Sequence, residues 1–305
     1  MTISLTDAAN LIRRGGLVAF PTETVYGLGA NAFDAAAVAK IFDLKGRPST
    51  SPLIVHVASI DMARKLAARW PPLAEQLAQK YWPGPLTMVL EKSREIPDIV
   101  TAGLPTVGLR MPDHPIALEL IEAAGVPIAA PSANRFTHLS PTSPDHVREE
   151  FGDAVAILDG GSSRVGIEST VVSIHNGALT LLRPGLIRFD EIEPSRAPEP
   201  GAHSLPHPAP GMHPRHYSPA TPVLLVNHPN ELPDRKGAYV WRQESGITSR
   251  SVRMPRDPER YANRLYSVLH ELDREHWPWI AVEIPPDRPE WAAIRDRLRR
   301  ASVKR

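Results

Sequence analysis

Eight of the chain's 33 prolines lie between residues 191 and 219, in a stretch that shows no apolar periodicity. Because proline lacks a backbone N–H and fixes φ, such a stretch fits neither the interior of a helix nor a central strand. It predicts an extended, semi-stiff connector. The 305 residues are thereby divided into a domain at 1–190, a linker at 191–219 and a smaller domain at 220–305.

On both sides of this linker, short apolar runs alternate with amphipathic segments. The runs 53–57 (LIVHV) and 106–111 (TVGLRM) predict buried strands. Residues 34–46 predict a helix with Asp34 as its N-cap, and the pair Asn176–Gly177 predicts a hairpin turn. Strands that alternate with helices predict an α/β fold, here with a mixed sheet, followed by a small second α/β domain.

Composition and charge exclude several classes of protein. The chain has no cysteine, which excludes disulfides, thiolate nucleophiles and cysteine-ligated zinc. A net charge of +1 gives no electrostatic reason to expect nucleic acid as the main partner. No apolar run is long enough to span a membrane, and residues 1–16 lack the apolar core of a secretion signal. We therefore expect a cytoplasmic protein that makes no membrane contact.

Side chains able to do chemistry stand on the predicted strands. In the strand 53–57, alternation places His56 opposite the valines, where it is either a hydrogen-bonded core residue or a ligand contact. In the strand 106–111 it places Arg110 on the same face as Thr106. A buried arginine without a partner costs too much free energy to keep, so Arg110 must meet a carboxylate of the protein or of a substrate.

Further cations and hydroxyls follow other predicted strands and helices. Lys45 and Arg47 come just after a predicted helix, where the helix dipole alone favours cations. Residues 21–30 form either a plain turn or a glycine-rich approach to a ligand. Together these groups predict one pocket for a polyanionic substrate, held by charge and backbone without a strong nucleophile. The remaining members are Thr24, Ala130, Ser132, Asn134, Ser169 and Arg183.

Eight motifs, in this order, resemble the threonylcarbamoyl-AMP synthase family in its long, two-domain form. They are FPTETVYGLG, KGRP…PLIVHV, WPGPLT, VGLRMP, PSAN, ILDGG…VGIESTVV, LLRPG and PGM…RHYSP. The resemblance is strongest over residues 5–220. It implies a YrdC-like twisted mixed sheet flanked by helices, a smaller Rossmann-like second domain, and a linker that closes over the pocket as a lid.

The resemblance implies an enzyme of the nucleotidyltransferase type. L-Threonine, bicarbonate or CO2, and ATP with Mg2+ would give L-threonylcarbamoyladenylate and pyrophosphate, and we assign no protein ligand to the metal. A downstream threonylcarbamoyl transferase complex would then use the adenylate for the t6A modification of adenosine 37 in ANN-decoding tRNAs.

The resemblance also implies a role for individual residues. Around the threonine it places Thr24, His56, Arg110, Ala130 and Ser169. Around ATP it places Lys45, Arg47, Ser51, Thr106, Ser132, Arg183 and, from the linker, Tyr217. The catalytic set, formed by the family's K-x-R and S-x-N pairs, is Lys45, Arg47, Ser132 and Asn134. Three residues depart from the family pattern: Ser51 replaces an asparagine, and His213 and Pro214 replace a lysine and an aromatic residue.

Two other functions stay open from the sequence. Carbamoyltransferases of hydrogenase maturation, which form carbamoyl-AMP, also contain YrdC-like domains, but they carry cysteine-rich zinc elements that this chain lacks. The other alternative is a non-catalytic RNA-binding module, because the tail 295–305 (RDRLRRASVKR) is basic. We interpret that tail as a solvated helix end, where arginine and lysine suit the helix dipole.

Overall fold

The computed structural model describes residues 1–192, 216–233 and 236–302. Most of the predicted linker, including His213 and Pro214, therefore lies outside the described residues, as does the end of the basic tail. The described chain forms two α/β units, each built around one sheet.

The first unit accounts for eight helices and nine strands of the described chain. The helices are α1 (Leu5–Arg13), α2 (Ala35–Lys45), α3 (Ile60–Leu66), α4 (Pro72–Tyr81), α5 (Asp98–Thr101), α6 (Pro115–Ala124), α7 (Pro144–Phe151) and α8 (Phe189–Ile192). The strands are β1 (Val18–Phe20), β2 (Gly27–Asn31), β3 (Ile54–His56), β4 (Leu86–Glu91), β5 (Thr106–Arg110), β6 (Ile128–Ala129), β7 (Ala156–Ile157), β8 (Thr170–His175) and β9 (Ala178–Arg183).

These nine strands form one mixed sheet in the order β7-β1-β2-β6-β3-β5-β4-β8-β9. The pairs β1/β7, β3/β5 and β4/β8 are parallel, and the other neighbours are antiparallel. Leu53, Val55 and Val57 pack with Val38 and Ile41 of α2 in the main apolar core. The predicted mixed sheet and the predicted apolar face of the strand at 53–57 are thus confirmed.

The structure confirms two local predictions, the helix cap at Asp34 and the hairpin turn at Asn176–Gly177. Asp34 caps α2, and its side chain accepts hydrogen bonds from the amides of Ala36 and Ala37. In the hairpin between β8 and β9, Asn176 and Gly177 have φ values of 49° and 76°. A turn with two left-handed residues matches the twist of the strands that it joins, which is why an Asn-Gly pair predicts it.

Strand β2 was not predicted, because residues 21–30 were expected to form a plain turn or a glycine-rich approach to a ligand. Its sequence, GLGAN, carries no strand pattern because glycine has a low preference for strands. Packing explains the glycines: a Cβ atom on Gly29 would lie 2.7 Å from Cγ2 of Ile128 and 2.9 Å from the ring of Phe20. A larger residue would push the neighbouring strand away.

The second unit is smaller and its sheet is fully parallel. Its strands are β10 (Val223–Val226), β11 (Ala238–Trp241), β12 (Arg250–Arg253) and β13 (Ile280–Glu283), and their spatial order is β10-β13-β11-β12. This sheet confirms the predicted Rossmann-like arrangement, although β12 was not predicted. No helix within the described ranges has the length and apolar character needed to cross a membrane. The α-helices of this unit are α9 (Pro258–Arg274) and α10 (Ala292–Ala301).

The two units are in direct contact along α9. Gly166 has a φ of +80°, and a Cβ atom there would lie 2.6 Å from Cα of Asn263. The Asn263 amide donates a hydrogen bond of 2.8 Å to the carbonyl of Arg164. His146 of α7 stacks on His270 of α9 with ring centroids 3.8 Å apart. The second unit therefore packs against the loop that leads into β8.

Candidate active site

A cavity lies over the central strands of the large sheet, on the face opposite Leu53 and Val55. Ile54 and His56 of β3 and Arg110 of β5 contribute to it from the sheet, and loops contribute the other residues. The full lining is Thr22, Thr24, Val25, Gly27, Arg47, Ile54, His56, Arg110, Ala130, Pro131, Ser132, Glu168, Arg183, His216 and Tyr217.

Most of the site residues expected from the sequence meet in this cavity. Those that line it are Thr24, Arg47, His56, Arg110, Ala130, Ser132, Arg183 and Tyr217. The others do not belong to the lining: Lys45, Ser51, Thr106, Asn134 and Ser169. Residues as distant in the chain as Thr24 and Tyr217 therefore converge on one space, as the pocket hypothesis requires.

Strands β3 and β5 place His56 and Arg110 side by side, because the two residues are register partners in a parallel pair. Nη2 of Arg110 lies 2.6 Å from Oε2 of Glu23, and both side chains are almost wholly buried. The carboxylate expected for Arg110 is thus present in the protein itself. The contact is not aligned as a hydrogen bond, so the buried Nε and Nη2 groups of Arg110 keep unused donor capacity.

His56 is a neutral side chain in this environment. Burial, reinforced by the charge of Arg110, lowers the pKa of His56 to about 3. Its Nδ1 atom has no hydrogen-bond partner within the described part of the chain. A buried neutral imidazole with a free nitrogen can form a hydrogen bond to a ligand without adding a charge.

Arg47 is a buried cation whose contacts include no carboxylate in the described ranges. Its Nη2 donates a 3.1 Å hydrogen bond to the carbonyl of Pro52, and its guanidinium carbon lies 5.8 Å from the centre of the Phe136 ring. The Nε group has no hydrogen-bond partner among the described residues. Burial lowers the pKa of Arg47 to about 10, so the side chain stays charged at neutral pH.

Lys45 and Asn134 hold the loop that follows β6. The Lys45 ammonium donates a 2.6 Å hydrogen bond to the carbonyl of Ser132 and a second one to the carbonyl of Asn134. The Asn134 amide donates to the carbonyls of Arg135 and His138 at 2.8 and 3.0 Å. Burial and the charge of Arg47 lower the pKa of Lys45 well below its usual value. Both residues act on the cavity through Ser132.

Ser169 lies behind the lining, against Arg183. Its hydroxyl is 2.8 Å from that of Thr87, and the Arg183 guanidinium donates to its hydroxyl and its carbonyl at 3.1 Å. Ser51 is half-buried in the turn before β3, and its amide bonds to the carbonyl of Pro48 at 3.1 Å. Thr106 is half-buried at the start of β5, four residues before Arg110.

The sequence interpretation missed Glu168 and was wrong about Arg297. Glu168 lines the cavity, although it was quoted above within a motif and given no role. Arg297 was expected on a solvated helix end, but its side chain is 0% exposed and donates a 2.8 Å hydrogen bond to Glu168. The signal was present in the spacing, because Arg297 falls on the helical stripe of the buried Ile294 and Ala301.

The nine-stranded mixed sheet and its cation-lined cavity define a YrdC-like enzyme domain, to which a parallel α/β domain is joined. A sequence model of the Sua5, YciO and YrdC proteins, described as telomere recombination, matches residues 10–185. A second, described as threonylcarbamoyl-AMP synthase, C-terminal domain, matches residues 182–303. The chain belongs to the threonylcarbamoyl-AMP synthase family and is an enzyme of that family.

Relatives that share both domains support this assignment. The threonylcarbamoyl-AMP synthase of Pyrococcus abyssi is 43% identical over 316 residues, which cover 97% of this chain and 93% of the relative. That of Bacillus subtilis is 39% identical and covers 98% of this chain and 92% of the relative. The crystal structure of P. abyssi Sua5 complexed with L-threonine has a TM-score of 0.89 at 39% identity, covering 99% of this chain and 96% of the other.

Proposed function

We propose that the cavity joins L-threonine, bicarbonate and ATP into L-threonylcarbamoyl-AMP and pyrophosphate. The observation that carries the proposal is the guanidinium of Arg47, which is buried, lines the cavity and has an unpartnered Nε group in the described chain. A buried cation without a counter-ion is costly to maintain, so it indicates an anionic ligand. The triphosphate of ATP is such a ligand.

The amino acid is assigned to the part of the cavity formed by β3 and β5. Arg110 has donors for the α-carboxylate, and neutral His56 has a free ring nitrogen. Thr24 and Ala130 complete this part of the lining, and the single methyl group of Ala130 leaves room for a side chain. The crystal structure of the P. abyssi relative, which contains L-threonine, supports an amino acid here. Ser169 also belongs to the residues assigned to the threonine, and it lies behind Arg183.

ATP is assigned to the part lined by Arg47, Ser132, Arg183 and Tyr217. Arg47, Arg183 and Tyr217 line the same cavity, and burial raises the pKa of the Tyr217 hydroxyl, so this side chain is neutral. The two guanidinium groups suit the phosphates. Four further residues lie outside the lining. The Lys45 ammonium and the backbone amide of Asn134 donate to the carbonyl of Ser132, and Ser51 and Thr106 are assigned outer contacts with the nucleotide.

The chemistry then consists mostly of positioning. The neutral amine of threonine attacks CO2 or bicarbonate, and the new N–C bond makes a carbamate. With CO2 the nitrogen releases one proton to solvent; with bicarbonate that proton leaves together with the departing hydroxide as water. A carbamate oxygen attacks the α-phosphorus, the bond to the β-phosphate breaks, and pyrophosphate leaves with its electron pair. Arg47 and Arg183 stabilise the negative charge that develops on the phosphate oxygens. Burial of these groups keeps water from the unstable carbamate.

Mg2+ is proposed to enter with ATP. Glu168 supplies the one carboxylate of the described lining, and Ser140, Tyr266 and Arg297 already donate to it. No group of three acidic or histidine side chains able to hold a metal ion occurs in the ranges that the structure describes. These residues fit a metal held mainly by phosphates and water, which is common for Mg2+. When bound, it neutralises phosphate charge.

The product is proposed to serve tRNA modification in the cytoplasm. A downstream transferase complex would move the threonylcarbamoyl group to adenosine 37 of ANN-decoding tRNAs, with tRNA as an indirect partner. The chain's own contribution ends with the release of the adenylate.

Incubation of the purified protein with ATP, Mg2+ and bicarbonate tests the proposal. Pyrophosphate release is expected to depend on threonine and bicarbonate, with threonylcarbamoyl-AMP detected by mass, and threonine is expected to exceed serine. Release with carbamoyl phosphate in place of threonine would favour the carbamoyltransferase alternative. Salt-sensitive RNA binding without any turnover would favour a non-catalytic module.

A further inference from the structure

The carboxylate of Glu168 is held by side chains from both domains. From the first domain, the Ser140 hydroxyl donates to Oε1 at 2.6 Å. From the second, the Tyr266 hydroxyl of α9 and Nε of Arg297 in α10 donate to Oε2 at 3.1 and 2.8 Å. Burial alone would raise the pKa of Glu168, but the charges of Arg297 and Arg183 outweigh it and lower the pKa. Glu168 is therefore an ionised group of the cavity lining.

Arg297 also contacts the residues beside Glu168. Its Nη1 donates to the carbonyl of Pro184 at 2.8 Å, directly after Arg183 in the chain. Its guanidinium carbon lies 5.4 Å from the centre of the Tyr217 ring, within the range of a cation–π contact. Tyr217 has a φ of 61°, a conformation that a tyrosine seldom adopts unless its surroundings hold it there. One side chain of the second domain thus contacts two residues of the cavity lining, Glu168 and Tyr217, and the residue that follows a third, Arg183.

We propose that Arg297 is a positioning residue for the nucleotide, through which the second domain completes the active site. Its guanidinium, which also pairs with Asp296 at 3.1 Å, offsets part of the charge of Glu168, so that this carboxylate opposes the attraction of the lining arginines for a triphosphate less strongly. Its guanidinium also holds the ring of Tyr217 in the wall of the cavity. Without Arg297, the carboxylate of Glu168 would face Arg183 and Arg47 with less compensation and would reduce their attraction for phosphates.

This inference rests on the proposed function, because it assigns the ATP part of the cavity to the neighbourhood of Glu168. It predicts a selective effect on ATP. Threonine is assigned to the part formed by β3 and β5, where Arg110 pairs with Glu23, whereas Arg297 pairs with Glu168. A purely structural defect would instead lower the amount of folded enzyme and leave both KM values unchanged.

Four variants of the full-length protein test the inference. Arg297→Met removes the charge and keeps most of the volume, Arg297→Lys keeps a charge, and Tyr266→Phe removes one donor to Glu168. The matched control is Arg242→Met, because Arg242 is also a buried arginine of the second domain. It pairs with Glu283 at 3.7 Å and lies 5.3 Å from the ring of Trp291, and it does not line the cavity.

The measurements are KM and kcat for ATP and threonine from pyrophosphate release, together with calorimetric binding of Mg-ATP alone. We expect Arg297→Met to raise KM for ATP and the calorimetric Kd about tenfold, with KM for threonine within about twofold. Arg297→Lys is expected to recover part of the loss, and Tyr266→Phe to cause a smaller rise of about threefold. Arg242→Met is expected to lower the melting temperature and to leave both KM values unchanged.

The outcomes separate the inference from the proposed function. If the wild type binds Mg-ATP but does not use threonine, the proposed reaction fails and the calorimetric comparison still tests Arg297. If folded Arg297→Met, Arg297→Lys and Tyr266→Phe all bind Mg-ATP as the wild type does, the inference is wrong and the contact serves domain docking alone. If Arg297→Met does not fold, Arg297→Lys and Tyr266→Phe decide by the same measurements.

Discussion

Arg47 in the first domain and Arg242 in the second are both buried, at 7% and 9% exposure, yet their partners differ. Arg242 has the carboxylate of Glu283 at 3.7 Å and the ring of Trp291 at 5.3 Å. Arg47 has a backbone carbonyl and the ring of Phe136, and no carboxylate among its described contacts. Nε lacks a hydrogen-bond partner in both side chains within the described residues, so the difference lies in the carboxylate. Arg242 has one in the fold, whereas the described part of the chain supplies none to Arg47.

Arg110 and Arg297 fall between these two extremes. Arg110 lines the cavity and Arg297 lies behind Glu168, and each pairs with a protein carboxylate, Glu23 at 2.6 Å and Glu168 at 2.8 Å. Arg110 has N–H donors beside the cavity that form no hydrogen bond in the described chain, whereas the donors of Arg297 form hydrogen bonds to protein groups. Arg47 and Arg110 therefore keep donors for the proposed ligands, whereas Arg297 acts on the cavity through protein groups, as the inference requires.

The strongest test of this comparison is Arg47→Met. Loss of a preorganised cation at developing phosphate charge is expected to lower kcat/KM for pyrophosphate release by about 10²–10³-fold. Stability is expected to stay the same or to rise, because the change removes a buried charge that has no carboxylate partner in the described ranges. Turnover and thermal melting measure the two effects, with Arg242→Met as the variant that should lose stability and keep turnover. Wild-type turnover in folded Arg47→Met would contradict the assignment.

A smaller effect is expected for Arg110→Lys. The ammonium can still pair with Glu23, but it lacks the planar fork that binds a carboxylate through two parallel hydrogen bonds. KM for threonine is expected to rise about tenfold, with KM for ATP nearly unchanged. Steady-state kinetics with each substrate varied in turn measure the change. An equal rise in both KM values would mean that Arg110 does not distinguish the two parts of the cavity.

The smallest effect concerns the stacked histidines at the domain contact. Burial lowers the pKa of His146 to about 3 and that of His270 to about 4. The unfolded chain binds protons at these residues below a pH of about 6.5, and the folded chain does not until about pH 4, so stability falls as the pH falls through this window. The melting temperature is expected to drop by about 4 °C or more between pH 7 and pH 5.

A variant at the same position isolates the contribution of the stack from that of other histidines. His146→Phe keeps a flat ring against His270 and cannot be protonated, so its melting temperature should depend less on pH than that of the wild type. Identical pH profiles for the two proteins would show that the stack does not carry the effect.

Local rules predicted those parts of the fold that depend on neighbouring residues. The alternation at 53–57 placed His56 opposite the apolar core, Asp34 predicted a helix start, and Asn176–Gly177 predicted a turn. The requirement that a buried arginine meets a carboxylate anticipated the Arg110 contact, although the sequence did not show that the carboxylate is Glu23. In each case the deciding interaction lies within a strand, a helical turn or one pair of side chains.

The parts that were missed depend on contacts between distant segments. Strand β2 is held by packing against Ile128 and Phe20. Because it contains glycines, it has no pattern of apolar residues from which a strand could be predicted. Arg297 sits among charged neighbours, and its burial follows from Glu168, a partner 129 residues earlier. A solvated basic helix end and a helix end that buries one arginine have the same local composition. The apolar stripe of α10 was therefore the one sequence feature that could have indicated the burial of Arg297.

That separation of 129 residues has a consequence for how the enzyme is made. At ordinary rates of synthesis, Glu168 leaves the ribosome on the order of ten seconds before Arg297 does. During that interval a nascent first domain already contains Arg47 and Arg110, but its Glu168 carboxylate has neither of its second-domain donors. If Arg297 positions the nucleotide as proposed, full affinity for ATP is reached only after α10 has docked on the first domain.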